Sequence, residues 1–266
     1  MKRIQVTGVG NALVDVVGKV GDDFLAENDV EKGIMTLIDT ARAAQLYGRM
    51  GPAQEISGGS AANTLAGLGN LGARSAFVGK VKDDQLGAIF AHDIRSLGVA
   101  FDTPMAEKSL EGDETGRCIV LVTPDGERSM STYLGVSAHL GPDDIDEQAV
   151  ADSEWIYLEG YRFDGAEGKA AFRKAVSAAK AAGTKVALTV SDPFCIERHR
   201  EDFAAMIRDG VDLLFANEAE IKALYQTDDL EAAVKRAQAE VELTACTVGA
   251  KGCHVATKDD VRDVPA

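Results

Sequence analysis

The sequence predicts an α/β fold built on a mostly parallel central sheet. Segments rich in β-branched residues alternate with segments whose apolar residues recur at helical spacing. The chain has 266 residues, 45% of them hydrophobic, so it is long enough to bury a large core. Strands that alternate with helices are typical of parallel sheets covered on both faces. We therefore expect one discontinuous α/β domain over residues 1–266.

Each predicted strand of this sheet is followed by a predicted helix. The pairs of strand and helix are residues 75–81 with 84–97, 155–160 with 166–182, 185–190 with 200–208, and 211–216 with 218–225. Each pair forms one β-to-α step of a parallel sheet.

A different pattern interrupts this order between Arg117 and Leu134. Two extended stretches flank Pro124-Asp125-Gly126, where proline fixes φ and glycine permits a positive φ, so the segment predicts a β-hairpin. We expect the extended stretches 12–20 and 33–38 to join this hairpin in a small antiparallel sheet. The sheet would be a lid contributed by about residues 12–39 and 99–136.

Composition and sequence pattern argue against several classes of function. The formal net charge of −15 does not favour a nucleic-acid partner. The N-terminus lacks the apolar run of a signal peptide, and the chain lacks the roughly 20 consecutive apolar residues of a membrane helix. The four cysteines form no CxxC pair, which favours reduced thiols over a zinc site or disulfides. We expect a cytoplasmic protein that binds neither nucleic acid nor membrane.

Two adjacent glycines, Gly58 and Gly59, precede a helical pattern in the segment EISGGSAANTLAGLGNLG. Residues without Cβ let the backbone approach a ligand or adopt a positive φ, and Ser60 is a candidate helix cap. The Asn63 carboxamide both donates and accepts hydrogen bonds, which suits a vicinal diol. The residues leave two interpretations open, an ordinary tight turn and a polar ligand site.

Asp15 ends the apolar segment Gly10-Asn11-Ala12-Leu13-Val14-Asp15, which has no cation beside it. A carboxylate in a half-buried strand needs a partner, and that partner is either internal or the hydroxyls of a ligand. Asn217 and Glu220 follow a predicted strand and begin a helix. At a helix N-terminus asparagine can cap the free N–H groups, and an acid interacts favourably with the helix dipole. Capping is the simpler interpretation, although the same oxygen ligands suit hydrated magnesium.

Two further segments are weaker indications of phosphate binding. The run from Thr247 to Gly252 matches neither GxGxxG nor GxxxxGK[ST], so by itself it predicts a glycine-containing hairpin. Arg128 follows the Pro-Asp-Gly turn, where it is either a solvated hairpin charge or a clamp for phosphate.

Taken in order, these segments resemble the ribokinase-like (pfkB-type) carbohydrate and nucleoside kinase family along essentially the whole chain. The Gly-Gly segment and the downstream Gly79-Lys80-Val81-Lys82-Asp83-Asp84-Gln85-Leu86-Gly87 are similar to the first signature of that family. The Asn-x-x-Glu and Thr-x-Gly-x-x-Gly patterns follow in the family's order. The resemblance implies a three-layer sandwich with a small β-sheet lid, ATP and Mg²⁺, and phosphoryl transfer to a primary alcohol.

Within the family, residues 10–15 and 33–39 look most like the adenosine kinase branch. The resemblance implies that Asn11 and Asp15 lie beside the nucleoside, with Asp15 receiving ribose hydroxyls. Gly58, Gly59 and Asn63 would complete the sugar site.

The same resemblance implies roles on the phosphate side. Arg128 would approach the phosphate from the lid, and Asn217 and Glu220 would organise magnesium and its waters. The residues expected to border ATP are Asn217, Thr247, Gly249 and Gly252.

One departure from the family concerns the catalytic base. The family ordinarily carries a later Asp-Thr-x-Gly-Ala-Gly-Asp segment whose last aspartate accepts the hydroxyl proton, and this sequence ends before it. We therefore expect the base to lie beyond Ala266 and the domain to be C-terminally incomplete, since no helix follows the last predicted strands.

The expected activity is ATP-dependent phosphoryl transfer to the 5′-hydroxyl of adenosine or a close nucleoside. A kinase for a sugar such as ribose or fructose is one alternative, and a catalytically inactive substrate-binding remnant is another. The partner would be a small-molecule nucleoside or sugar. A monomer and a homodimer both stay open, as does assistance by a monovalent cation.

Overall fold

The computed structural model describes residues 2–106 and 114–266, so residues 107–113 of the predicted lid lie outside the described residues. Over the described residues the chain forms fourteen strands and nine α-helices. The strands are β1 (Ile4–Val9), β2 (Leu13–Lys19), β3 (Met35–Leu37), β4 (Ala53–Gly58), β5 (Ser75–Val78), β6 (Val99–Ala100), β7 (Thr115–Val122), β8 (Arg128–Gly135), β9 (Ser153–Glu159), β10 (Lys185–Thr189), β11 (Leu213–Asn217), β12 (Leu243–Thr247), β13 (Cys253–Thr257) and β14 (Val261–Val264). The helices are α1 (Asp22–Glu27), α2 (Thr40–Arg49), α3 (Ser60–Asn70), α4 (Gln85–Ser96), α5 (Glu147–Ala151), α6 (Ala166–Ala182), α7 (Pro193–Gly210), α8 (Glu218–Tyr225) and α9 (Leu230–Glu240).

The chain divides into two compact units. The first contains the described part of Met1–Gly10, together with Ala73–Ala76 and Gly141–Ala266, and the second contains Asn11–Gly72 and the described part of Phe77–Leu140. No helix among the described residues is long and apolar enough to cross a membrane.

The first unit is built on the large sheet, with strand order β14-β13-β12-β11-β10-β9-β1-β5. Strands β1, β9, β10, β11 and β12 pair in parallel, whereas β13 and β14 add antiparallel strands at one edge. The predicted α/β fold, with a mostly parallel large sheet and a smaller second sheet, is confirmed. The carboxyl ends of the parallel strands meet at one edge, which is where ligands bind in such sheets.

The core of the first unit includes three fully buried phenylalanines. Phe163 stacks on Phe203 with 4.1 Å between the ring centroids, and it meets Phe172 edge-on at 5.8 Å. Each ring contributes about 1.5–3 kcal/mol by leaving water. These contacts fix α6 and α7 against the short 3-10 helix Gly160–Asp164.

The first half of α7 was missed by the sequence prediction, which placed a helix only at residues 200–208. The helix begins at Pro193, and the Asp192 side chain caps it by accepting from the backbone N–H groups of Phe194 and Cys195. The backbone at His199 is not helical (φ −131°, ψ 24°), so α7 is kinked there. The kink breaks the apolar periodicity, and only the second half is visible as a pattern.

The second unit contains the small sheet, with strand order β3-β8-β7-β2-β4. The predicted hairpin is confirmed: β7 and β8 are antiparallel, and Val122 is opposite Arg128. Gly126 has a φ of 85°, and its N–H donates to the carbonyl of Thr123. Proline and glycine therefore close the turn in the way their backbone preferences predict.

The prediction that the small sheet is antiparallel throughout was wrong. Strand β2 pairs with β7 in parallel, and β3 pairs with β8 in parallel. These strands are far apart in sequence, so crossover connections rather than tight turns join them. Strand β4 was also missed, because the glycines at its end were interpreted as a turn or a ligand site and not as the end of a strand.

Candidate active site

The first candidate group lies in the second unit and consists of Asp15, Gly58, Gly59 and Asn63, here called the glycine-carboxylate cluster. Strands β2 and β4 are antiparallel, with Leu13 opposite Gly58 and Asp15 opposite Ile56. Because alternate residues of a strand share a face, Leu13, Asp15 and Gly58 lie on the same face of the small sheet. The tertiary structure thus brings together residues that are more than forty positions apart in the chain.

The absence of a side chain at Gly58 makes room for the carboxyl group of Asp15. A Cβ at position 58 would come closer than 3.0 Å to all three carboxyl atoms of Asp15. Gly58 is therefore required at this place by the carboxylate, and the carboxylate lies directly against the backbone of β4.

Gly59 is required for two reasons. Its φ is 98°, a conformation that side chains rarely adopt, and a Cβ there would overlap the backbone carbonyl oxygen of Asn11. Gly59 is also the N-cap position of α3, and Ser60 is the first helical residue, so the prediction of a Ser60 cap was wrong. The two adjacent glycines therefore allow both the backbone turn at Gly59 and the close contacts with Asp15 and Asn11.

Burial raises the pKa of Asp15 to about 6, and a hydrogen bond from the Asn63 side chain opposes that shift. The residue is half-buried, so its carboxylate is partly withdrawn from water and still reachable. A carboxylate offers about four lone-pair positions, and one hydrogen bond leaves acceptor capacity for hydroxyl groups. Asn63, exposed at the start of α3, presents its remaining amide atoms beside it.

Asp15 belongs to a row of residues that crosses the whole small sheet on one face. The register places Ile56, Asp15, Cys118, Thr132 and Leu37 side by side, one from each strand. The Thr132 hydroxyl donates to the Cys118 sulfur at 3.3 Å, and both side chains are buried. Burial, and to a smaller extent the charge of Asp15, raises the pKa of the Cys118 thiol to about 12. The thiol therefore stays uncharged.

A cavity of about 270 Å³ adjoins this row. Its lining is mostly apolar and comes from β3, β8 and the segment after β8, namely Leu37, Ile38, Thr132, Tyr133, Leu134, Gly135, Ala138 and His139. Thr132 lies two strands from Asp15, or roughly 10 Å at the usual strand spacing. Sequence reasoning missed Cys118 and Thr132, because only the register puts them in line with Asp15.

The other two predicted residues of this unit have different surroundings. Asn11 is buried, and its side-chain oxygen accepts from the Ser137 hydroxyl at 3.1 Å. Arg128 is exposed at the first position of β8, four residues before Thr132. That places it about 13 Å along the strand from the row of Asp15, at the tip of the hairpin.

The second candidate group lies in the first unit and consists of Asn217, Glu220, Thr247, Gly249 and Gly252, here called the strand-end cluster. Asn217 ends β11 and lies directly opposite Thr247, which ends the neighbouring parallel strand β12. Both residues are exposed. The predicted residues therefore do meet at the carboxyl edge of the large sheet.

Asn217 and Glu220 form a reciprocal capping box, so the capping interpretation is confirmed. The Asn217 side-chain oxygen accepts from the Glu220 N–H at 2.9 Å. The Glu220 carboxylate accepts from the Asn217 backbone N–H at 2.9 Å and from its side-chain amide at 2.7 Å. This arrangement satisfies the free N–H groups at the start of α8.

The run from Thr247 to Gly252 is a tight connection between antiparallel strands, as the residues alone predicted. The Val248 N–H donates to the Gly252 carbonyl at 2.9 Å. Gly249 has a φ of 61° with open space around its missing Cβ, whereas a Cβ at Gly252 would overlap the Val264 carbonyl oxygen. Gly252 is thus required both by packing and by its φ of 106°, whereas Gly249 is required by backbone conformation alone.

Asp192 and Tyr161 lie near this cluster and were missed by sequence reasoning. The pKa of Tyr161 is raised, chiefly by burial and then by the charges of Asp192, Glu159 and Glu220. The pKa of Glu220 is raised by burial, an effect that Asn217 opposes and Asp192 reinforces. The available signal for Asp192 was its place between a strand and a proline, which is typical of a helix cap.

The residues of the strand-end cluster fit a hydrated magnesium ion better than a directly bound one. Both carboxylate oxygens of Glu220 already accept hydrogen bonds from Asn217. Among residues 2–106 and 114–266, no group of three or more His, Cys, Asp or Glu side chains is arranged to hold a metal. Mg²⁺ keeps several of its waters, and the neighbouring charges of Asp192 and Glu220 would favour a divalent cation beside them.

Comparison with known proteins gives the relatives of the chain. It is 45% identical to the adenosine kinase of Sinorhizobium meliloti, with a TM-score of 0.93 over 99% of this chain and 80% of that one. A probable sugar kinase from Rhizobium etli is 44% identical, with a TM-score of 0.94 over 100% of this chain and 80% of that one.

Guanosine-inosine kinase of Escherichia coli is 26% identical over 97% of this chain. The chain spans 61% of the length of that relative. The model of the pfkB family of carbohydrate kinases matches residues 33–266. With this match, the two sheets and the order of the motifs, the chain belongs to the ribokinase-like pfkB family of carbohydrate kinases.

Proposed function

We propose that this protein transfers the γ-phosphoryl group of ATP to the 5′-hydroxyl of adenosine or a closely related nucleoside. The observation that carries the proposal is the Asp15 carboxylate, which lies against Gly58 and is bonded to Asn63. With a pKa of about 6 the group is mostly ionised near pH 7.5, so it accepts hydrogen bonds. Two adjacent ribose hydroxyls offer two donors to such a carboxylate.

The apolar cavity in the row of Asp15, whose lining residue Thr132 lies roughly 10 Å from Asp15, supports a nucleoside over a free sugar. A nucleoside carries a flat base that can fill apolar space next to its ribose, whereas a free sugar has only hydroxyl-bearing carbons. The cavity of about 270 Å³, lined by residues such as Leu37 and Leu134, would take the base. Removing the base from water against these side chains would supply part of the binding energy.

The strand-end cluster is the proposed phosphate side of the reaction. Thr247 offers a hydroxyl at the end of β12, and the open space beside Gly249 leaves the backbone of the turn accessible. When bound, Mg²⁺ would neutralise phosphate charge, and Asn217 and Glu220 would hold its waters. Arg128, exposed on the hairpin of the proposed lid, is the proposed cationic contact to phosphate.

The relatives support the nucleoside assignment in part. Two of the proteins named above act on purine nucleosides by their names, the adenosine kinase of Sinorhizobium meliloti and the guanosine-inosine kinase of Escherichia coli. The Rhizobium etli protein, a probable sugar kinase, is as similar as the first of these. A kinase for ribose or fructose is therefore the second candidate.

The decisive experiment is calorimetric titration of the chain with adenosine, inosine, ribose and fructose. We expect a nucleoside to bind at least about tenfold more tightly than either sugar. Asp15→Asn should weaken nucleoside binding by about tenfold or more, because it removes a charged hydrogen-bond acceptor. Asp23→Asn, which neutralises an exposed acid of α1, is the matched control. Tighter binding of ribose or fructose would favour the sugar kinase, and absence of binding by all four would refute the proposal.

A turnover assay with ATP and Mg²⁺ then separates an enzyme from a binding protein. Formation of the nucleoside 5′-monophosphate would support the kinase. Turnover near that of the adenosine kinase of Sinorhizobium meliloti would reject the third interpretation, a substrate-binding remnant.

A further inference from the structure

A strained residue follows strand β10. Ser191 lies between β10 and α7 and has a φ of 72°, in the left-handed region that residues with a Cβ rarely adopt. The other non-glycine residues with a positive φ in the described part of the chain are Asp29 and Gln226. Each of them lies at the C-terminal end of an α-helix, where this conformation is common. Ser191 follows a strand instead, so its conformation is unfavourable and must be imposed by its surroundings.

The strain is part of a tight turn. The Asp192 N–H donates to the Val190 carbonyl at 2.9 Å, a bond that closes a three-residue γ-turn with Ser191 at its centre. A positive φ at the central residue is the rare and strained form of this turn. The Val190 N–H donates to the Phe215 carbonyl of β11 at 3.3 Å, so the turn starts at the carboxyl edge of the large sheet. Residues 190–192 are here called the strained turn.

Two neighbouring residues hold the strained turn in place. The Tyr161 hydroxyl donates to the Ser191 carbonyl at 3.3 Å, and these roles are fixed because a carbonyl can only accept. Burial is the main cause that raises the pKa of Tyr161, so the phenol keeps its proton and stays a donor. A Cβ at Gly160 would lie 2.7 Å from the Thr189 carbonyl oxygen and 2.9 Å from that of Val190, so the backbone next to Tyr161 packs directly against the turn. The hydroxyl and the close backbone contact together oppose relaxation of Ser191.

The strained turn lies beside the strand-end cluster. The parallel register of β10 and β11, continued by two positions, brings Ser191 level with Asn217. Asp192 follows directly, and its carboxylate caps α7. The pKa of Glu220 is raised by burial and further by the charge of Asp192, as expected for two carboxylates that are close together. A rotation of the turn would therefore move an acid relative to the strand-end cluster.

We propose that Tyr161 is a positioning residue for nucleotide binding, and that its hydroxyl holds the strained turn so that Asp192 stays beside the strand-end cluster. This inference rests on the proposed function, in which the strand-end cluster is the phosphate side of the reaction. Without the bond from Tyr161, Ser191 would relax toward a negative φ, and the peptide group between Ser191 and Asp192 would rotate. The charge of Asp192 would then shift relative to the phosphates and to Mg²⁺, and electrostatic interactions at short range depend steeply on distance.

The first test measures the strained turn itself, without a nucleotide, by hydrogen exchange of the Asp192 N–H followed by NMR. Tyr161→Phe removes the hydroxyl and keeps the ring. It should speed exchange of this amide by about threefold to tenfold, which corresponds to the loss of one hydrogen bond. Tyr225→Phe is the matched control, because it removes the hydroxyl of another buried tyrosine of the same unit, which donates to Glu240 at 3.1 Å. The control should leave the Asp192 amide unchanged, and equal exchange in wild type and Tyr161→Phe would overturn the proposal.

The second test is calorimetric titration of the full chain with the non-hydrolysable ATP analogue AMP-PNP and Mg²⁺, and separately with adenosine. Tyr161→Phe should weaken AMP-PNP binding by about tenfold, whereas adenosine binding, which the proposed function assigns to the glycine-carboxylate cluster, should stay within about twofold of wild type. If wild type binds AMP-PNP and Tyr161→Phe binds it equally well, the role of Tyr161 alone is refuted. If wild type binds no AMP-PNP, the phosphate side of the proposed function is refuted as well.

A rescue experiment separates positioning from a merely structural role of Tyr161. Glycine adopts a positive φ without the steric penalty of a Cβ, so Ser191→Gly makes the strained turn less dependent on the hydroxyl. The double variant Tyr161→Phe/Ser191→Gly should therefore bind AMP-PNP at least about threefold more tightly than Tyr161→Phe, and exchange of its Asp192 N–H should slow again. Loss of packing around Tyr161 would not be reversed by a change at Ser191, so a double variant no better than Tyr161→Phe would contradict the proposal.

Discussion

The glycine-carboxylate cluster and the strand-end cluster use glycine and acid residues in opposite ways. In the first, Gly58 leaves room for an acid, and the Asp15 carboxylate keeps acceptor capacity beyond its bond to Asn63. In the second, both carboxylate oxygens of Glu220 are bonded to Asn217 within the same helix start. The first cluster is arranged around a carboxylate that is costly to bury. In the second cluster, the side chains of Asn217 and Glu220 are hydrogen-bonded to each other.

This contrast indicates which motif residues are evidence for a bound ligand. A capping box stabilises a helix whether or not anything binds nearby. A half-buried carboxylate with a raised pKa does not stabilise the fold in this way. Burying its charge without enough hydrogen-bond or charge partners destabilises the folded state. Asp15 is therefore the stronger indication of function, and its substitution should separate binding from stability.

The largest effect on stability is expected for Gly59→Ala. The new Cβ would meet the Asn11 carbonyl, and the φ of 98° would be strained, so the free energy of unfolding should fall by about 2–4 kcal/mol. Gly72→Ala is the matched control, since Gly72 has a φ of 84° and open space around it. Urea unfolding that gives equal losses for both variants would show that the close approach to Asn11 is unimportant.

Gly58→Ala tests the contact between the glycine and the carboxylate. The added methyl group should displace Asp15 and cost about 1–3 kcal/mol of stability. In an Asp15→Ala background the same change should cost much less, because the clashing atoms are gone. A double-mutant cycle by urea unfolding measures this coupling. Additive effects would mean that the two residues do not constrain each other.

Asp15→Asn should stabilise the chain at neutral pH while weakening nucleoside binding. The folded-state pKa of about 6 lies above the unfolded value of 3.8, so the folded state holds the extra proton between these values and stability falls as the pH rises from about 4 to 6. Above pH 6 the cost is complete, about 3 kcal/mol, a figure that already includes the opposing hydrogen bond from Asn63. The variant should lose this pH dependence in unfolding curves, with wild type and variant converging near pH 3.5. A variant less stable than wild type at pH 7 would show that Asp15 supports the fold.

The smallest effect is expected for Asn217→Ala. Loss of the cap of α8 should cost about 1 kcal/mol of unfolding free energy. Adenosine binding to the glycine-carboxylate cluster should not change, since the proposed role of Asn217 is on the phosphate side of the reaction. Asp229→Ala, at the N-cap of α9, should cause a similar loss and serves as the reference. A tenfold loss of adenosine affinity in Asn217→Ala would remove the functional contrast between the clusters.

Much of the fold was predictable because it depends on local patterns. The helices α6 and α8 and the β7–β8 hairpin follow from apolar periodicity, caps and turn residues. The capping of α8 by Asn217 was predictable for the same reason. The parallel pairing of β2 with β7, strand β4 and the first half of α7 were not, because sequence neighbours do not encode which distant strands meet or where a helix is kinked.

The order of residues along the chain was enough to indicate the family, the order of the motifs and the residue types of both clusters. The contacts and the burial of those residues depend on the tertiary structure. Pairing of β2 with β4 places the Asp15 carboxyl over Gly58, and the register across five strands puts Cys118 and Thr132 in line with it. The physical reason is that burial and close approach depend on distant parts of the chain, and these raise the pKa of Asp15 and make glycine necessary at positions 58 and 59.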